Sequence, residues 1–150
     1  MAGSINTMEN SLTLIQRVTI CFGAGVIGGL AVVLFSYVLF GLGLSQALGI
    51  NSAVPLKSPD IYRPLFWGGL WGIPFGLFVK SAWNRLFIFG LLYFLAPVLA
   101  LFLFFLPMRG AGYFGLAQGG LSFTFYLVLV NLPYGIITAL TARLIIKGGT

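Results

Sequence analysis

The chain has 150 residues, of which 59% are hydrophobic and 7% charged, and its mean hydropathy is +1.07. A soluble domain carries about 25% charged residues, so no soluble domain fits beside the apolar runs, and residues 1–150 are expected to form a single all-α transmembrane domain. The net charge of +6 arises from eight Lys/Arg against Glu9 and Asp60, and the basic residues stand singly at the ends of apolar runs. That pattern argues against nucleic acid as a partner and fits flanking charges that set topology and meet lipid headgroups.

Four stretches lack any charged side chain: 39 residues from Val18 to Leu56, 16 from Pro64 to Val79, 23 from Leu86 to Met108 and 33 from Gly110 to Ala142. A charge at the bilayer centre costs roughly 2.5–3.5 kcal/mol on insertion scales, so such runs are the signature of a chain that lives in lipid. Four kinked helices packed as a bundle are expected, at about 18–44, 61–79, 86–106 and 117–146.

The polar lead over residues 1–16 offers Ser11 or Thr13 as a cap for the first helix, and Gly41, Gly43 and Gly49 loosen its far end. Cys21 lies alone within this run as a small packing residue, so no intrachain disulfide exists. A loop with Asn51, Pro55, Lys57 and Pro59 follows. The second helix starts near Asp60, with Pro64 in its first turn and Pro74 as a kink. Residues 80–85 form a short interfacial turn. The third helix carries Pro97 near its middle, and five glycines between Pro107 and Gly120 surround Arg109 in a loop. The fourth helix holds Asn131 and Pro133 as an interior break.

Four spans put Arg17, Lys80, Arg85, Arg143 and Lys147 on one side and Lys57, Arg63 and Arg109 on the other. Five basic residues against three predict both termini in the cytoplasm.

The string Gly23-Ala24-Gly25-Val26-Ile27-Gly28 matches GxGxxG, but a dinucleotide site needs a preceding strand. Within a transmembrane run, Gly25 and Gly29 read instead as a GxxxG pair that lets another backbone approach. Gly68, Gly72 and Gly76 form a second ridge, with Trp67 and Trp71 as a neighbouring stripe. Both features are expected to pack helices within the bundle or against a partner. Lys57, Arg63 and Arg109 share one predicted side and are candidates for a lipid or anion headgroup, against ordinary interfacial snorkelling. Asn131 and Pro133 resemble the broken helices that line transporter sites, against an ordinary proline kink.

What is missing weighs more. There is no His, one Cys cannot build a cluster, and both acids lie outside the expected spans. No metal site, no nucleophile set and no intramembrane carboxylate for ion coupling can be assembled, so no enzyme is expected. No bound cofactor is expected either, although the 16% aromatic content suits surface contact with lipid, quinone or pigment.

Hydropathy along most of the chain, together with the string Trp67-Gly68-Gly69-Leu70-Trp71-Gly72, resembles small four-span inner-membrane proteins of bacteria. The resemblance implies a location, the bacterial inner membrane, and no activity. Two functions remain in view. One is a non-catalytic accessory or scaffold subunit of a larger inner-membrane complex, in contact with other membrane subunits and with lipid. The other is a small oligomeric transporter or channel using the broken fourth helix.

Overall fold

The computed structural model describes residues 12–78 and 86–148. The expected 80–85 turn, with Lys80 and Arg85, lies outside the described residues. Among those described, every element is helical and no strand occurs. Physics demands this of a chain in lipid, where each backbone group must be satisfied internally and a helix does so within one segment. Among the described residues three stretches are long and apolar enough to cross a membrane: Leu14–Gly41, Phe87–Met108 and Tyr113–Ile146. They mark an integral membrane protein.

Helix α1 is Leu14–Gly41. It starts ahead of the expected Val18 because Thr13 closes a capping box. The Gln16 N–H donates to Thr13 Oγ1 at 3.2 Å, and the Thr13 N–H donates to Gln16 Oε1 at 2.9 Å. It ends before the expected Leu44, where Gly43 adopts a left-handed φ of 75° and opens the one-turn α2, Leu44–Ala47.

Helix α3 is Tyr62–Phe78, with Pro64 in its first turn and Pro74 inside. Its 17 described residues rise about 26 Å at 1.5 Å each, short of the roughly 30 Å hydrocarbon core. The described part of α3 is not among the three spans above. It lies antiparallel along α1: Gly29 faces Pro64, Gly25 faces Gly68, Cys21 faces Gly72 and Val18 faces Gly76.

The third apolar run, expected as one helix, is segmented into α4 (Leu86–Tyr93), α5 (Leu95–Ala100), a π-turn (Leu101–Phe105) and α6 (Leu106–Met108). Pro97 has no N–H to give to the Tyr93 carbonyl, and α4 stops at that residue. In the π-turn the Leu106 N–H reaches back five residues to the Leu101 carbonyl, which widens the helix locally.

Helix α7 is Leu116–Gly148, entered through a 3-10 turn at Tyr113–Gly115. The interior break expected at Asn131 and Pro133 is displaced. The helix runs on through both residues, and the non-helical backbone sits at Gly119 and Gly120, where Gly120 takes φ 62°. A left-handed residue suits glycine, whereas Pro133 removes one hydrogen bond in a helix whose neighbours remain paired. Asn131 stays local too, its Nδ2 donating to the Leu127 carbonyl at 2.8 Å.

The core forms where α1, α3, α4 and α7 meet. Phe75 has no exposed surface and packs on Phe89 and Tyr93, with ring centroids 5.5 and 5.0 Å away. Two tyrosine hydroxyls tie neighbouring helices to α3: Tyr93 donates to the Trp71 carbonyl and Tyr134 to the Gly68 carbonyl, both at 2.6 Å. Gly90 of α4 lies against the Gly135 backbone of α7, and the Arg143 guanidinium stands 6.0 Å from the Phe87 ring centroid, so α4 and α7 are antiparallel. The exterior carries exposed Ile15, Phe66, Phe78, Phe104, Leu121 and Phe125. In water such a surface would be an aggregation liability, and in lipid it is matched to its solvent.

Candidate functional site

Helix α3 presents Arg63, Trp67 and Trp71 at intervals of four residues, hence along one face and about 6 Å apart in rise. The third run presents Pro97, Leu101, Phe105 and Arg109 at the same interval, the middle two bounding the π-turn. Helix α7 contributes Asn131 and Tyr134, and α1 contributes Gly29 and Val32. These residues, with Val54, Pro64 and Gly68, enclose a cavity of about 350 Å³. This lies at the lower end of the range for small-molecule sites.

The walls are apolar and the polar groups are unevenly placed. Arg63 stands in the first turn of α3 and Arg109 directly follows α6. Both side chains are exposed, as is the rim residue Trp67 at 37%. Tyr134 is only 3% exposed, its hydroxyl donating to the Gly68 carbonyl, and the partly buried Asn131 amide donates to the Leu127 carbonyl. The lining holds two guanidiniums and no carboxylate. Trp67 also packs edge-on to Phe105, with centroids 4.8 Å apart, closing one side between the two walls.

Of the residues singled out in the sequence, Gly29, Arg63, Trp67, Gly68, Trp71, Arg109 and Asn131 converge on this cavity. Lys57 is exposed and takes no part in the lining, and Pro133 lies next to the cavity's residues without joining it. Gly25, Gly72 and Gly76 stand in the α1–α3 seam, where a Cβ on Gly25 would fall on the Gly68 carbonyl oxygen and one on Gly72 on that of Cys21. The glycine ridges therefore face each other within the chain. They bring α1 and α3 into backbone contact and so set the width of the adjoining cavity.

As site residues, sequence reasoning missed Val32, Val54, Pro64, Pro97, Leu101, Phe105 and Tyr134. The four-residue spacing that leads back from Arg109 to Pro97, and from Trp71 to Arg63, was a usable signal. Arg17 also departs from expectation: counted as a flanking topology charge, it is 8% exposed, and its Nε and Nη1 have no hydrogen-bond partner among the described residues. Among the described residues no group of three His, Cys, Asp or Glu side chains gathers at a point that suits a metal.

An integral membrane protein, helical throughout the described residues and carrying an amphipathic, arginine-rimmed cavity, is the class that fold and site define. No family model, curated protein or solved structure matches the chain.

Proposed function

We propose that this protein is a non-catalytic accessory subunit of a larger complex in a bacterial inner membrane, and that it holds an amphiphilic small molecule in the Arg63–Arg109 cavity. One observation carries the ligand part of the reading: side chains from α1, α3, the π-turn region and α7 converge on a cavity with cations at its rim and aromatic walls within. The absence of His and the single Cys favour binding over catalysis.

In this reading α3 is the fourth span, supported by its antiparallel register along the N-terminal half of α1. The five-to-three distribution of basic residues puts both termini in the cytoplasm and the arginine rim at the outer face. Because the glycine seams are used internally, partner subunits would meet the aromatic exterior, including Phe66, Phe104 and Phe125. A second reading, an oligomeric transporter, draws on Asn131 and the π-turn lining the same cavity.

Extraction from native membranes in mild detergent through a C-terminal tag tests the proposal. A stoichiometric larger particle that carries a small amphiphile supports it. A homogeneous particle of this chain alone overturns the subunit role and favours the transporter.

A further inference from the structure

We infer that the cavity takes a membrane lipid with a terminal phosphate (phosphomonoester) headgroup, held between Arg63 and Arg109, with its first carbons along Trp67 and Trp71. The inference rests on the cavity being an amphiphile site and adds the chemical class of the ligand.

Three features select that class. The first is charge: the lining contains two guanidiniums and no acid, so a doubly charged headgroup can pair with both cations where a zwitterionic one offers a single phosphodiester charge. Each guanidinium is a planar fork of donors that pairs two oxygens at once. A carboxylate has two oxygens and one charge, enough for a single fork. A terminal phosphate offers three oxygens and up to two charges, enough for two forks arriving from separate segments.

The second is polarity along the cavity. From Arg63 the α3 wall continues through Trp67 to Trp71, about 12 Å of rise, and the facing wall runs from Arg109 back through Phe105 and Leu101. Between them the Tyr134 hydroxyl donates to the Gly68 carbonyl and the Asn131 amide donates to the Leu127 carbonyl. A headgroup is thus drawn to the arginine rim and an aliphatic segment to the aromatic walls. The third is size. A volume of about 350 Å³ matches about a dozen water-sized groups at roughly 30 Å³ each. That accommodates one phosphate and the first few carbons, while the remaining chain leaves past the exposed rim of Trp67 into the bilayer.

The test uses tryptophan fluorescence in phosphatidylcholine vesicles. In a Trp83→Phe background, Trp67 and Trp71 are the remaining tryptophans and both line the cavity. Phosphatidate with brominated acyl chains is the quencher, and brominated phosphatidylcholine is the reference. Phosphatidate should quench at much lower mole fraction. Arg63→Gln and Arg109→Gln should each weaken that preference about tenfold, and Lys57→Gln should leave it unchanged. Arg63→Lys with Arg109→Lys should restore part of it, and far-ultraviolet circular dichroism confirms that each variant is folded.

Equal quenching by both lipids overturns the preference for a terminal phosphate while leaving an amphiphile site in place. No saturable quenching by either overturns both. A preference that survives the double glutamine variant, or that falls as far in Lys57→Gln, overturns the assignment to the two arginines. Full displacement by inorganic phosphate at comparable concentration overturns the lipid as source in favour of the free anion.

Discussion

Two glycines in one turn of α1 make a controlled comparison. Gly25 faces α3 so closely that a Cβ there would fall on the Gly68 carbonyl oxygen and lie 3.0 Å from the Gly72 Cα. Both obstacles are backbone, so relief requires the helices to part rather than a side chain to turn. Overpacking of this kind costs about 1–3 kcal/mol. Gly23, two residues earlier, has nothing within 4 Å of a built Cβ. Alanine there should gain roughly 0.5–1 kcal/mol from helix propensity and lost chain entropy. The two alanine variants should therefore differ by about 1.5–4 kcal/mol, the sum of those two ranges. For a chain of this size that corresponds to a gap in Tm of roughly 3–16 °C, taking about 2–4 °C per kcal/mol. Thermal unfolding of both variants in the same mild detergent measures it. A Gly25→Ala protein as stable as Gly23→Ala would refute the α1–α3 register, and with it the placement of the cavity beside that seam.

Three further substitutions probe the helices around the cavity. Phe75→Ala removes a fully buried ring packed on Phe89 and Tyr93 and should cost about 3–5 kcal/mol, read by the same unfolding measurement. Tyr134→Phe deletes the 2.6 Å bond to the Gly68 carbonyl with little change of shape and should cost about 1 kcal/mol. Thr13→Ala breaks the capping box and should speed amide exchange at Gln16 roughly fivefold, the equivalent of about 1 kcal/mol, without changing the global Tm by more than a few degrees.

Membrane residence was legible because it depends on charge content, which needs no knowledge of contacts. The Thr13 cap, the helical runs and the loop after Met108 followed from local chemistry for the same reason. Segmentation of the third run was only half legible. Pro97 marked a weak point, but the π-turn at Leu101–Phe105 is chosen by packing that no local pattern reports. The fourth helix shows the opposite error: Pro133 is a strong breaker in water, yet Gly119 and Gly120 carry the break because left-handed backbone is available there. At the site, Arg63 and Arg109 were grouped with Lys57 as headgroup candidates, Trp67 and Trp71 as a packing stripe, and Asn131 with Pro133 as a broken helix. Their convergence was not visible, because it depends on how α3, the third run and α7 are placed around α1.

Filling the cavity tests the central claim most directly. Leu101→Trp adds bulk to its wall while leaving Arg63 and Arg109 untouched. Native mass spectrometry of protein extracted from its own membranes should show a small-molecule adduct on the wild type and none on Leu101→Trp. A wild type without any adduct, or an equal adduct on both proteins, would contradict the account.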